Sequence, residues 1–343
     1  MTDVVGMVLC AGLGTRLRPL TLRVPKPAVP VCGVPLISWT LGLLAGAGVA
    51  RAVVNVHHLP DAMAAAAEAG ARTAGLPLAI SREPVIAGTG GALREARRHL
   101  EGAGAIVVVN GDVLFDLDLG PALAAHRASG TLATMLLLPM PAGASYAAVE
   151  VDPSGAVRRI AGAFGPGPLP RPAPRGEGSP GTSGDRLSPW HFTGVHVLSP
   201  ALLDRVPAAP FECDVNRHVY PPLLASGAVR GLVVDGYWND LGTPARYLEA
   251  SRDVLLGRVP LSRFERADPL GRSRAIAPGI RAGPGATVDL EATLVAPTFL
   301  GAGCRVPAGA TVEDAVLWDG TSLASGERVV RAIAAGTDRI SAG

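Results

Sequence analysis

From Ile280 to Glu327 the sequence divides into eight consecutive hexads: IRAGPG, ATVDLE, ATLVAP, TFLGAG, CRVPAG, ATVEDA, VLWDGT and SLASGE. The third place of each holds Ala282, Val288, Leu294, Leu300, Val306, Val312, Trp318 and Ala324. The first place holds mostly small residues, among them Ala286, Ala292, Thr298, Cys304 and Ala310. A period of six with one apolar and one small residue turned inward fits a β-helix, in which each face contributes a short strand and a turn. At about three hexads per coil, this stretch makes two to three coils.

The chain ahead of the repeat follows a different rhythm. With 343 residues it exceeds the size at which one core stops growing, so about two domains are expected. Expected strands are Val4 to Leu9, Ala52 to Val56, Leu76 to Ile80, Ala105 to Val109 and Leu132 to Leu138. Between them lie the helical patterns Pro35 to Ala47, Asp61 to Ala71, Gly91 to Leu100 and Leu119 to Ser129. The alternation predicts an α/β domain with a doubly wound, mostly parallel sheet. In such sheets ligands collect at the carboxyl ends of strands, where Gly12, Asn110 and Asp112 fall. Further on, Asp214 opens an expected helix reaching Ser226, Val229 to Val234 an expected strand, and Thr243-Pro244 a helix ending near Leu256.

The net charge of +2 comes from nearly balanced acids and bases with no basic block, which argues against nucleic acid as a partner. Four separated cysteines without a C-x-x-C spacing read as unpaired thiols in a reducing compartment. No signal-peptide pattern opens the chain and no apolar run approaches ~18 residues, so a cytosolic protein without membrane attachment is expected.

Leu9 to Pro27 reads LCAGLGTRLRPLTLRVPKP. An apolar run stops here at a turn containing Gly12 and Gly14, followed by Arg16 and Lys26. Amides left bare by glycine can approach phosphate oxygens, while a guanidinium and an ammonium neutralise their charge. A polyphosphate is the expected ligand. A dinucleotide fingerprint would need a third glycine where Leu17 stands, and a P-loop would need Gly-Lys-Ser/Thr; a purely structural turn is the remaining alternative.

The longer pattern Gly-x-Gly-Thr-Arg-x-x-Pro-Leu-Thr, followed by Pro25-Lys26-Pro27, resembles the opening of the sugar-1-phosphate nucleotidyltransferases, with Cys10 where that family has alanine or glycine. Glu83 to Leu93, EPVIAGTGGAL, resembles the family's nucleobase loop, with Ile86 in place of proline. Asn110-Gly111-Asp112 and Trp238-Asn239-Asp240-Leu241-Gly242-Thr243-Pro244 match the two motifs whose aspartates hold a divalent cation. The resemblance implies that Leu9, Ala11, Gly12, Gly14, Thr15, Arg16, Lys26, Glu83, Gly88, Thr89 and Asn110 bind the nucleotide. It further implies that Arg16, Lys26 and Asp112 serve catalysis, and that Asp112 and Asp240 hold Mg2+. The implied reaction is attack of a sugar-1-phosphate oxygen on the α-phosphorus of a nucleoside triphosphate, with pyrophosphate leaving.

On the sugar side the sequence departs from the family. Tyr146-Ala147 stands for Tyr-Gly, Phe192-Thr193-Gly194 for Asn-Ala-Gly, and Glu-Lys-Pro is replaced by a Gly-, Pro- and Ser-rich tract, Gly162 to Pro189, expected to be a mobile loop. Ala147, Thr193, Gly194 and Arg217 are the expected sugar-side residues, and Arg158, Arg159 or Arg217 are candidates to replace the missing lysine. Glu83 can accept from the paired N–H donors of guanine, so GTP with mannose 1-phosphate is the first expectation. The alternatives are uridylyl transfer to N-acetylmuramate 1-phosphate or a hexose 1-phosphate, thymidylyl transfer, and a non-catalytic sensor of nucleotide-sugar.

Some members of the family carry a left-handed β-helix after the catalytic domain. The resemblance therefore implies a catalytic domain over 1–257 and a hexapeptide-repeat domain over 258–343. Hexads also occur in acyltransferases, which use a histidine near the coils, but the last histidine here is His218. The tail is therefore expected to serve domain packing or homo-oligomerisation.

Overall fold

The runs VVGMVL and AIVVVN are apolar at nearly every position, which suits strands covered on both faces. In the computed structural model, which describes residues 3–141, 146–161, 187–208 and 212–342, they pair in parallel, with Val4 beside Ala105 and Leu9 beside Asn110. The chain forms two compact units. One takes Met1–Leu9, Glu83–Asn110 and Asp118–Asp235, and the other Cys10–Arg82, Gly111–Leu117 and Gly236–Gly343.

The sheet of the first unit is mixed, which corrects the expected mostly parallel arrangement. Ser188–Leu198 runs antiparallel to Ala105–Asn110 on one side and to Ala133–Leu138 and Ala148–Val151 on the other. Val157–Ile160 pairs antiparallel with Ala148–Val151, whereas Val229–Val233 runs parallel to Ala133–Leu138. The cause is visible in the connections: only a short turn separates Val151 from Val157, too little for the crossover that parallel neighbours need. Of the tract expected to be mobile, Ser188 and Pro189 belong to the long strand, Leu187 leads into it exposed, and 162–186 lie outside the described residues.

The helix expected from Asp214 to Ser226 is broken into a π-helical turn, Val215–Val219, and a short helix, Pro221–Leu224. Consecutive prolines at 221 and 222 remove two amide donors from what would have been one helix.

In the second unit Arg51–Val56 and Leu78–Arg82 are parallel strands joined through the helix Pro60–Ala74. The helix Leu36–Gly46 is buried over most of its length; Trp39 meets Phe264 edge-on at 5.1 Å, and a Cβ on Gly42 would lie 2.7 Å from that of Ala267. The helix Pro244–Leu255 starts as expected, with the Thr243 hydroxyl accepting from the Arg246 amide at 3.3 Å.

The tail of this unit is a stack of short parallel strands. Ile280 lies beside Thr298 and Leu294 beside Val312, a spacing of eighteen residues, or three hexads. Its core contains Ala282, Ala286, Leu300, Cys304, Val306, Ala310 and Val312, with Val288, Ala292 and Leu294 packed against it. After Val312 the hexad phase slips by one. Leu317 and Leu323 take the inward places, and the expected Trp318 and Ala324 face outward. The chain leaves Val295 and re-enters its strand at Thr298 through Ala296-Pro297, but makes the equivalent corner with Asp314 alone, at φ 49°, and then with Arg331, at φ 44°. Proline's ring forbids that left-handed conformation, so the first corner needs an extra residue and the later coils are one residue shorter.

Candidate nucleotidyl-transfer site

The expected site residues divide between the two units. In the second unit the turn after Leu9 is held from below: the Asn55 side-chain oxygen accepts from the Cys10 amide at 2.7 Å. Among the described residues, none accepts from the amides of Gly12 and Leu13, both of which are exposed, so these donors are available to a ligand. Gly14 sits at φ 60°, and a Cβ there would come within 2.9 Å of the Lys26 Cβ. The Gly14 carbonyl accepts from the Thr21 hydroxyl at 2.8 Å, and the Thr21 carbonyl is bonded by His58 Nε2 at 2.7 Å. His58 thereby braces the turn. Burial, and then the nearby Asp112, push the Cys10 thiol well above its ordinary value, so it stays neutral.

Lys26 is the centre of this half. Its buried ammonium donates to Asp112 Oδ2 at 2.8 Å and to the Asp240 carbonyl at 3.0 Å. Asp240 Oδ1 accepts from the Gly242 amide at 3.2 Å and pairs with Arg246 Nη1 at 3.2 Å. Arg16 lies over the same turn, because a Cβ on Gly242 would meet its guanidinium nitrogens at 3.0 and 3.1 Å. The turn is fixed by Asn239, whose Oδ1 accepts from Leu241 N at 3.0 Å while its Nδ2 donates to Glu249 at 3.3 Å, with Leu241 held at φ 40°.

In the first unit Thr89 and the glycines around it clasp residues 213–215. The Cys213 carbonyl accepts from Gly90 N at 2.8 Å and Gly91 N at 3.2 Å, Cys213 N donates to the Ala87 carbonyl at 2.9 Å, and the Thr89 hydroxyl accepts from Val215 N at 2.8 Å. Glu83 is buried, and its Oε2 accepts from Ala87 N at 3.2 Å. Its carboxylate therefore shapes the loop, beyond any contact with a base.

Phe192-Thr193-Gly194 forms a bulge, where the pairing jumps from Phe192 opposite Leu137 to His196 opposite Met135. Thr193 donates to the Leu136 carbonyl at 2.9 Å and accepts from Val195 N at 3.2 Å; Gly194, at φ 81°, lets the Asn110 side chain approach to where a Cβ would be 2.6 Å away. All three candidate cations are exposed; Arg158 pairs with Asp152 at 2.7 Å and Arg159 pairs with Glu150, which leaves Arg217 as the candidate outside those two ion pairs. Ala147 is exposed beside Tyr146, whose ring lies tilted against that of His191 with centroids 4.4 Å apart.

Sequence reasoning missed Asn55, Asn239 and Cys213. A polar residue inside the apolar run of strand 51–56 was the available signal for Asn55; Cys213 has no local signature.

The sequence matches the nucleotidyl transferase family over residues 5–256. A mannose-1-phosphate guanylyltransferase of Mycobacterium tuberculosis is 29% identical over 328 residues, covering 94% of this chain and 82% of that protein. A UTP--glucose-1-phosphate uridylyltransferase of Synechocystis is 27% identical over 356 residues, covering 94% and 85%. The crystal structure of HddC from Yersinia pseudotuberculosis superposes with a TM-score of 0.56 at 22% identity over 74% of this chain and 100% of that one, a shared fold.

The chain belongs to the nucleotidyl transferase family. Within it, the chain is an enzyme of the sugar-1-phosphate nucleotidyltransferase class, similar to mannose-1-phosphate guanylyltransferases.

Proposed function

We propose that the chain transfers the guanylyl group of GTP to mannose 1-phosphate, forming GDP-mannose and pyrophosphate. The observation that carries the reading is the single ammonium of Lys26 shared by the Asp112 carboxylate and the Asp240 carbonyl, with Arg16 against the same turn. An ammonium has three donors, so one remains for a phosphate oxygen. Arg16 adds a planar donor pair, and the amides of the exposed Gly12 and Leu13 add neutral ones.

Asp112 and Asp240 fit Mg2+. Both offer hard carboxylate oxygens already oriented by a cation, and one or two carboxylates are what that ion takes from a protein. Among the described residues no group of three or more acidic, histidine or cysteine side chains gathers, so the remaining ligands would be phosphate oxygens and water. When bound, the ion would supply charge neutralisation at the phosphates. The chain's own part is to hold the α-phosphate among cations while the sugar-phosphate oxygen bonds to phosphorus and the bond to the pyrophosphate oxygen breaks. No side-chain nucleophile is needed.

For the nucleotide, Leu9, Ala11, Gly12, Gly14, Thr15, Gly88, Thr89 and Asn110 complete the proposed contacts, and Ala147, Thr193, Gly194 and Arg217 those of the sugar phosphate. Support for guanine and mannose comes from the Mycobacterium relative, which is similar along nearly the whole chain. Glu83 Oε2 is already used by the Ala87 amide, and the second reading, UTP with a hexose 1-phosphate, is supported by the Synechocystis relative, which is similar over as much of the chain. A panel of nucleoside triphosphates against sugar 1-phosphates, scored by pyrophosphate release, decides between them. Highest kcat/KM with GTP and mannose 1-phosphate supports the first; highest turnover with UTP replaces it.

The proposal extends to the whole chain as a catalytic domain over 1–257 and a left-handed β-helix over 258–343, in a cytoplasmic homo-oligomer. Parallel strands spaced by three hexads support the β-helix. Four buried free thiols support the reducing compartment. Among the described residues, no helix is long and apolar enough to cross a membrane.

A further inference from the structure

Lys26 stands in a short helical turn, Lys26–Ala28, and the chain then forms a tight hairpin, Pro30–Val31 with Val34–Pro35. The Val29 amide donates to the Lys26 carbonyl at 3.1 Å, and the Val29 carbonyl accepts from Leu36 N at 3.0 Å, so the lysine and the hairpin form one bonded segment. Two side chains from elsewhere in the unit hold this segment. Tyr247, fully buried on the helix Pro244–Leu255, bonds the Pro30 carbonyl, and Phe299 of the repeat packs on the hairpin tip, where a Cβ on Gly33 would come within 2.9 Å of its ring.

The Tyr247 hydroxyl also meets Trp318 Nε1 at 2.9 Å. The direction of these bonds is forced. An indole N–H only donates and a carbonyl only accepts, so the hydroxyl takes from Trp318 and gives to Pro30. Burial pushes the Tyr247 phenol far above its usual range, which keeps that proton in place at any working pH. The residue supplying the first donor is the one that the shortened coil turns outward.

We infer that Trp318 of the repeat is a positioning residue for the reaction, acting through Tyr247 and Pro30 to fix Lys26 against Asp112 and Asp240. The inference rests on the proposed role of Lys26. It gives the tail a part in the chemical step that packing alone does not require, since misplacing a charge-stabilising group by about 1 Å can cost on the order of 100-fold in rate.

The test uses the full chain with Trp318→Phe, Tyr247→Phe, the double variant, and each single change in a Lys26→Ala background. Melting temperature, kcat and the KM for the nucleoside triphosphate are measured on each. The expected result is a fall in kcat of about ten-fold for either single variant, with KM changed less than about two-fold. The double variant should be no slower than Tyr247→Phe, and neither change should matter once Lys26 is alanine, because coupled residues are non-additive. An undiminished kcat in Trp318→Phe overturns the inference. So does an equal loss with and without Lys26, which would mean a general loosening of the fold. Wild-type turnover in Lys26→Ala itself overturns the underlying reading of the site instead.

Discussion

Lys26 and Asp112, far apart in the chain, meet at 2.8 Å with the lysine side chain 7% exposed and the carboxylate 42% exposed. The ammonium is thus fixed while the carboxylate keeps one flank open to a ligand. Asp112→Asn and Asp240→Asn are each expected to lower turnover by at least about 100-fold by removing charge where phosphate oxygens converge. Turnover against Mg2+ concentration, with circular dichroism to show that the fold survives, checks this. Near-normal activity in either variant would remove that residue from the site.

The clasp between residues 87–91 and 213–215 depends on a glycine. Gly88 lies at φ 74°, and an added Cβ would be 2.5 Å from the Cys213 carbonyl oxygen. Gly88→Ala is expected to cost about 1–3 kcal/mol in stability through backbone strain, and to raise the KM for the nucleoside triphosphate as the loop shifts. Denaturant unfolding and initial rates measure the two effects; an unchanged midpoint would show that the clasp yields without strain.

Arg217 is exposed in the middle of the π-helical turn, with its amide fixed to Asp214 Oδ1 at 3.0 Å. If it takes the place of the absent lysine, Arg217→Ala raises the KM for sugar 1-phosphate by about ten-fold and leaves that for the nucleotide unchanged. Steady-state kinetics with one substrate saturating separates the two. No change in either KM would return Arg217 to the solvated surface.

His196 is buried with its Nδ1 2.6 Å from the Tyr220 hydroxyl, and burial lowers its pKa from 6.5 to about 3. The folded state disfavours the charged ring, so the unfolded chain binds the proton first as pH falls. Stability is whole above pH 6.5, declines by about 1.4 kcal/mol per pH unit below it, and stops declining once the folded-state value is passed. Urea unfolding at several pH values should show this slope in the native protein and a flatter one in His196→Gln. Parallel slopes would assign the acid sensitivity to other groups.

The parts of this protein legible in its sequence are those written locally. The glycine turn, the Thr243-Pro244 helix start and the hexads up to Val312 depend on residues a few places apart. The mixed sheet was not legible, because the place of Ser188–Leu198 is decided by partners distant in the chain. The clasp on Cys213 escaped for the same reason. The slip that turns Trp318 outward escaped for another: counting by sixes records the period but not which corners a single left-handed residue can make.

Three levels of the repeat are pinned at different points of the unit: Phe299 at Gly33, Asp314 at Arg252, and Asp338 at Arg23. Duplicating or deleting one coil between any two of these levels, where paired strands are seventeen residues apart, would carry a side chain a full storey from its socket. Repeat arrays ordinarily tolerate gain and loss of modules because each touches only its neighbours. This one is indexed like a key in a lock, and over evolutionary time its coil number is free to drift only beyond the outermost pin.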